Sequence, residues 1–330
     1  MSDVSPRSRR RALQSATAAV VVALLLWWLL PLGGTSRPSG RVVLSTGVST
    51  GVYEKYGTLL RADLRRDLPD VTVRLLPSQG SVDNVQRLVR GDASYAIATA
   101  DAVATYTAEG GPGADRLRAC ARLYDDYMHL VVPRDSAVRS ARDLRGLRVG
   151  VGEDRSGVQL ITRRLLTAAG LGMGDIRARR VGIDRMTRLT REGKLDAFFW
   201  SGGLPTAALQ DLSERMPVRL VPLADLIEPL HRQGERSRYY RAAVMPADAY
   251  PRMGLGGEAV KTIAVANLLV TTDRADTRLT EQLTRTVIRS RDRIGAEVHA
   301  AQRVDLRTAV FTDPLQLHAG AARYYRSVKP

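Results

Sequence analysis

Arg41-Val-Val-Leu-Ser45-Thr-Gly-Val-Ser49-Thr50-Gly51-Val-Tyr53 sets a short apolar run before a loop without large side chains, and a helical period follows at once. Val52, Tyr56, Leu59, Leu60 and Leu64 mark one face of that helix. The unit is strand, Gly/Ser/Thr loop, helix. Backbone N–H groups at a helix start, with hydroxyls beside them, suit an anionic or polar group. The loop lacks the Gly-Lys-Ser/Thr ending of a P-loop and does not fit G-x-G-x-x-G. Taken alone, such a loop is most often a plain capped turn.

It is not alone. Residues 71–76 and 94–99 read as strands, with a helix between them that Ser81 caps and Gly91 ends, and Asp101 caps the helix after the second. A second cycle opens at 130–133, with a short helix at 140–144 and a strand at 147–151. Val158, Ile161, Leu165 and Leu166 give its helix, 195–200 its next strand, Pro205 the first turn of the helix after that, and 218–223 a further strand. Alternation at this spacing predicts an α/β protein with mainly parallel sheets, and two cycles predict two lobes. The strand-like stretch 261–272 and a helix bearing Leu279, Leu283, Val287 and Ile294 read as the chain returning to the first lobe, and Leu255-Gly-Gly257 as an exposed turn.

Similar strand-end loops recur at Gln79-Gly80-Ser81, Thr99-Ala100-Asp101, Asp154-Arg155-Ser156-Gly157 and Ser201-Gly202-Gly203-Leu204-Pro205-Thr206. Open α/β sheets place ligands outside the carboxyl ends of their strands, where all these loops fall. Two lobes facing each other through them would enclose a small polar ligand.

Composition narrows the alternatives. The 330 residues are 44% hydrophobic and 25% charged, values of an ordinary globular chain. Lys+Arg number 50 against 34 Asp+Glu, a net +16, and only four of the 50 are lysines. The arginines are scattered among aspartates, with no basic run interleaved with aromatics, which argues against nucleic acid as a partner. One cysteine, Cys120, excludes an intramolecular disulfide framework and a cysteine zinc cluster. His129, His231, His299 and His318 are far apart without an H-E-x-x-H pair, so neither metal nor cofactor is expected. Catalytic residues are not evident either, since no G-x-S-x-G elbow is present. Asp125-Asp126 reads as a solvated turn, and Tyr53, Tyr124 and Tyr127 as half-buried packing or cleft-lining side chains.

The N-terminus carries topology. Arg7 and Arg9 to Arg11 precede nineteen residues without a charge, 12–30. At ~1.5 Å per residue these span roughly 28 Å, close to a hydrocarbon core of about 30 Å, with the arginines holding that end in the cytoplasm. Residues 1–40 are therefore expected to be a signal peptide or membrane anchor plus a tether, and the rest of the chain extracytoplasmic. Ser8-Arg9-Arg10-Arg11-Ala12-Leu13-Gln14 resembles a twin-arginine export motif, whereas a lipid-anchor cysteine and a clear small-x-small cleavage site are both missing.

These residues together resemble the TAXI-type extracytoplasmic solute-binding subunits of TRAP transporters. Gly51-Val-Tyr53 resembles that family's G-G-V-Y opening, and Gly80-Ser-Val-Asp-Asn84 its G-S-V-E-N segment. The likeness continues in order through Asp143-Leu-Arg-Gly-Leu-Arg-Val-Gly-Val-Gly152, Ser156-Gly157, Leu195-Asp-Ala-Phe-Phe, Gly203-Leu-Pro-Thr206, 264–270 and His318-Ala-Gly-Ala-Ala-Arg-Tyr-Tyr325, covering about 41–330. The resemblance implies a type II periplasmic-binding-protein fold, with 41–130 and 263–330 forming lobe I and 131–262 lobe II. It implies capture of a small organic anion, a carboxylate or glutamate-like amino acid, for a separate membrane permease. The ligand-binding residues it implies are Ser49, Thr50, Gly51, Tyr53, Ser81 and Asn84 from lobe I, and Ser156, Gly157, Ser201, Gly203 and Thr206 from lobe II; Asp101, in the strand-end loop Thr99-Ala100-Asp101, is expected to join them. The chain departs from the pattern at Val158, where the family usually has a threonine, and at Glu54, where an uncharged aromatic is common. Arg155 is expected to pair with a ligand carboxylate or with Asp154. A ligand sensor without permease, and a secreted enzyme using a cleft serine or Asp101, are the competing readings.

Overall fold

A computed structural model describes residues 38–253, 258–298, 301 and 305–328. The expected signal or anchor segment (all but its last three residues), the 255–257 turn and His299 lie outside the described residues. Among the described residues no helix is long and apolar enough to cross a membrane.

The chain alternates as its pattern predicts. The first half-sheet holds β1 (Gly40–Ser45), α1 (Val52–Asp67), β2 (Val71–Leu76), α2 (Ser81–Arg90), β3 (Tyr95–Thr99) and α3 (Ala100–Ala108). β4 (Leu117–Pro133) then leads to β5 (Arg148–Gly150), α4 (Gly157–Ala168), β6 (Arg177–Arg179), α5 (Ile183–Arg191), β7 (Ala197–Gly202), α6 (Ala207–Arg215) and β8 (Val218–Leu220). After α7 (Ile227–His231) and β9 (Tyr240–Met245), β10 (Val260–Thr272) returns, followed by α8 (Thr277–Arg289), α9 (Arg291–Glu297), α10 (Leu306–Ala309) and α11 (Ala319–Ser327).

The strands join in the order β2-β1-β3-β10-β4-β7-β5-β6, with β8 on β4 and β9 on β10. β1 pairs in parallel with β2 and β3, and β5 with β6 and β7, whereas β4 and β10 run antiparallel to their neighbours. The sheet is thus mixed where the sequence predicts it mainly parallel. β4 also begins well before residue 130. Arg118, Arg122, Asp125 and Asp126 interrupt its apolar run, so the pattern conceals thirteen residues of strand.

Two sets of apolar clusters flank the β4–β10 ribbon. Tyr56, Leu60 and Leu64 of α1 pack with Cys120, Tyr124 and Leu269, and Val85 and Leu88 of α2 with Leu117, Leu268 and Val270. On the other side Ile161, Leu165 and Leu166 of α4 pack with Met128, Leu130, Ile263 and Val265, while Phe198 and Trp200 join Tyr127, Val131 and Ala264. The same two strands therefore serve one core with 117–124 and 268–270, and another with 127–132 and 263–265. Full burial of each such side chain contributes about 1.5–3 kcal/mol, which is why the amphipathic helices stay docked. The β4–β10 register shifts between Asn267 and Leu268 and again between Leu269 and Val270, close to the passage from one core to the other. Such bulges bend strands and re-aim side chains.

Candidate functional site

Loops at the carboxyl ends of β1, β3, β5 and β7 converge on one cleft, joined by the turn before α2. A cavity of about 70 Å³ lies there, lined from one side by Gly47, Gly51, Tyr53, Gly80, Ser81 and Thr99. From the other side come Gly152, Glu153, Ser156, Gly157, Trp200 and Ser201, and Asp126 of β4 forms part of the wall between them. At roughly 10–15 Å³ per water this is space for a few ordered waters or a small polar solute.

A hydrogen-bonded chain organises the lobe I wall. The Thr99 N–H donates to Ser81 Oγ (3.1 Å), Ser81 Oγ lies 2.9 Å from the Tyr53 hydroxyl, and Tyr53 donates in turn to Asn267 Oδ1. Tyr53 stays neutral, because burial, followed by the nearby Asp126, raises its pKa well above the ordinary value. Helix ends point at the same cleft. Gly51 and Gly80 cap α1 and α2 without a side-chain hydrogen bond, and Ser156 caps α4 through the Gln159 N–H (3.1 Å). These N-termini carry partial positive charge toward the cavity.

The lobes are closed on each other at this point. A Cβ placed on Gly157 would lie 3.1 Å from Ser81 Oγ, so the start of α4 packs directly against α2. The Asp83 N–H donates to the Arg155 carbonyl (3.2 Å), and the Arg155 guanidinium pairs with the Asp83 carboxylate. Thr50 Oγ1 donates to both Asp184 oxygens at 3.1 Å, and the Tyr240 hydroxyl donates to Asp101 Oδ2 at 2.6 Å. Arg155, expected on a ligand carboxylate or on Asp154, thus joins the lobes through Asp83. Glu54 accepts from Thr46 Oγ1.

Gly51, Tyr53, Ser81, Ser156, Gly157 and Ser201 of the residues expected to bind ligand line the cavity. Ser49 and Thr50 are exposed outside its lining. Asn84 is fully buried in scaffold work: it accepts from Ser45 Oγ (2.6 Å) and donates to the Thr46 and Ile97 carbonyls (2.6 and 2.7 Å). Asp101 lies beneath Tyr240 inside α3, whose N-cap is Thr99 instead. Thr206 donates to the Gly203 carbonyl (3.0 Å) and is the N-cap of α6, so Pro205 precedes the cap rather than occupying the first helical turn. Gly203 and Thr206 both fall outside the lining.

Trp200 and Asp126 are cavity residues that sequence reasoning overlooks. Trp200 ends an apolar strand and reads as core. Asp126 reads as half of a solvated turn, yet it sits on β4 at 4% exposure, so that reading is corrected. Ser201 Oγ donates to its Oδ2 at 3.4 Å, and among the described residues Oδ1 has no partner within ordinary hydrogen-bond geometry. Burial raises its pKa to about 7; Asn267 and Ser201 pull it down, and Asp125 and Asp101 push it up. Thr99 Oγ1 is likewise buried without a partner among the described residues, and Asn267 Nδ2, whose amide lowers the Asp126 carboxyl by its interaction, stands just beyond ordinary hydrogen-bond geometry. The two tyrosines that feel Asp126, Tyr53 and Tyr124, are held neutral by burial.

The sign for stability follows. Asp126 holds its proton to higher pH folded than unfolded (ordinarily ~3.9), so its contribution is full below about pH 4 and is lost as pH rises to about 7. Buried His129, lowered to about 4, pulls the opposite way between there and its unfolded value. The test is therefore the difference between wild type and Asp126→Asn. The variant is expected to gain stability relative to wild type on going from pH 5 to pH 8 in denaturant melts. A difference that does not change with pH would contradict a raised carboxyl.

Cys120 is buried in the first core, its thiol pushed up to about 12 by burial, and is no nucleophile at neutral pH. Among the described residues no group of three or more His, Cys, Asp or Glu is placed to hold a metal ion.

Strand order, twin cores and a cleft at the strand ends define the two-lobed periplasmic-binding-protein architecture. Solved structures agree at the level of fold. A protein from Bordetella bronchiseptica RB50 is 15% identical, covers 88% of this chain and 90% of its own, and superposes with a TM-score of 0.52. A Clostridium perfringens protein solved with bound phosphate and assigned to a phosphate ABC transporter as its substrate-binding protein is 13% identical, with coverage of 79% and 99% and a TM-score of 0.51. Residues 44–328 match the NMT1-like family, and the chain belongs to it.

Proposed function

We propose that this protein is the extracytoplasmic receptor of a TRAP-type transporter of the TAXI kind. It captures a small organic anion, a carboxylate or glutamate-like amino acid, between its lobes and hands it to a membrane permease. The N-terminal segment tethers or exports it, and no chemistry is performed on the ligand. Lobe I is the described residues of 38–124 and 268–328, lobe II those of 127–265, and the β4–β10 pair between them is the hinge. The observation that carries the reading is the cleft itself. Hydroxyls and helix N-termini from both lobes face one cavity, and buried Thr99 Oγ1 there has no partner among the described residues. A ligand touching both lobes favours the closed state over the open one.

The permease class rests on the ordered TAXI-like motifs, while the fold is shared with binding proteins of other transporter types. A thermal-shift screen of the full chain should therefore include amino acids, dicarboxylates, phosphate and alkanesulfonates. A true ligand at about 100 times its Kd stabilises by roughly 2.7 kcal/mol, a clear rise in the melting midpoint. Hydrolysis of an ester panel, with no shift from any of these solutes, would overturn the receptor reading in favour of an enzyme.

A further inference from the structure

The chain carries 50 Lys+Arg, yet the charged side chains lining the cleft cavity are Asp126 and Glu153, with no lysine or arginine among its lining residues. Asp126 sits where the lobes meet: it interacts with Tyr53 of α1 from lobe I and with Ser201 of β7 from lobe II, and it is 4% exposed. Two further carboxylates, Asp101 of α3 and Asp125 beside it on β4, oppose its ionisation. The arginines near by are spent on Asp125, which Arg122 (2.7 Å) and Arg241 (2.6 Å) hold. The other groups on Asp126 are neutral: the Tyr53 and Tyr124 hydroxyls, the Ser201 hydroxyl at a long 3.4 Å, and the Asn267 amide of β10. Asp126 makes no ion pair among the described residues, and its Oδ1 has no partner within ordinary hydrogen-bond geometry.

Closing the lobes thus takes water from this carboxylate and brings it no cation. An ionised carboxylate so placed is costly, and an anion captured beside it raises the cost again. One proton removes both penalties. We propose that capture is proton-linked: as the lobes close on an anion, Asp126 takes up one proton from solvent and releases it when they open. This rests on the receptor reading above and adds a co-bound proton to it. No bond of the captured solute changes, and the proton comes from water or buffer.

Linkage sets the sign. In the open protein, water solvates Asp126 and its carboxyl titrates nearer the ordinary ~3.9; in the closed protein burial raises it to about 7. Affinity is therefore full below the open-state value and is lost as pH rises through the closed-state one. Between the two it falls by up to about tenfold per pH unit. Buried His129, lowered to about 4, stays neutral across that upper range and does not mimic the effect.

Calorimetric titration of the full chain tests this with probes that hold their charge from about pH 5.5 to 7.5: the common L-amino acids other than histidine and cysteine, 2-oxoglutarate, lactate and ethanesulfonate. The tightest of them is expected to lose about tenfold or more in affinity over that range. At about pH 6.5 its binding heats in two buffers of different ionisation enthalpy, neither a sulfonate nor a phosphate, should report uptake of roughly 0.6–1 proton. In Asp126→Asn the uptake vanishes and the affinity varies by less than about threefold with pH. A wild-type affinity that ignores pH, with equal heats in both buffers, overturns the proposal and leaves the receptor reading standing. So does proton uptake that survives in Asp126→Asn. Binding by none of the probes at any pH overturns both. The buffer comparison on the wild type decides the matter even if the variant does not fold.

Discussion

Valine in place of Gly157 is expected to weaken ligand binding by about tenfold to a hundredfold and to leave the unfolding midpoint of the ligand-free protein within a few degrees. Gly157 opens α4, and a Cβ there would already stand 3.1 Å from Ser81 Oγ and 3.4 Å from Ser81 Cβ across the cleft. Two further methyl carbons have no space unless the lobes part. Overpacking of this kind costs about 1–3 kcal/mol, and each ~1.4 kcal/mol is tenfold in affinity. The burden falls on the closed state alone, since each lobe keeps its own core. Titration of the tightest ligand from the screen against wild type, Gly157→Ala and Gly157→Val should give a graded loss. Unchanged affinity in the valine variant would mean that the ligand-bound form does not use this approach of α4 to α2.

Asn84→Ala acts on the opposite side of the ledger. It should lower stability by about 3 kcal/mol or more, because it removes a buried amide that joins β1, β3 and α2 through three hydrogen bonds. The Thr46 carbonyl keeps a second donor in Ser78 Oγ (2.9 Å), whereas Ser45 Oγ loses its close acceptor. Stranded buried polar groups cost about 1–3 kcal/mol each. For a domain of this size the melting midpoint should fall by roughly 6–12 °C. The variant also decides what Asn84 is for. A large fall in midpoint with near-normal affinity in the folded fraction identifies a scaffold residue; an unchanged midpoint with lost binding would restore it to the ligand site.

The order of the elements was open to reading because it rests on periodicity. Tyr56, Leu60 and Leu64 bury one face of α1, with Val52 and Leu59 half-buried beside them, as their spacing requires, and 261–272 is the returning strand almost to the residue. What escaped was whatever breaks period. Polar residues inside β4 masked its first half, and with it the burial of Asp126, since a carboxylate in a strand looks the same on paper whether it faces water or a cavity. The glycine and hydroxyl loops stood out by composition. Which of their members face the cavity depends on inter-lobe geometry, so Ser81 and Gly157 line it while Asn84, from the same motif as Ser81, turns into the core.

β4 and β10 each run from one core into the other, and they pair with each other from Leu117 to Tyr127 and from 264 to 272 with two register shifts on the way. Under the receptor reading proposed above, the lobes are two paddles on a single leaf spring rather than beads on a flexible thread. Cutting the chain in any surface loop leaves this spring whole, and a protein nicked far from residues 117–133 and 260–272 should still open and shut.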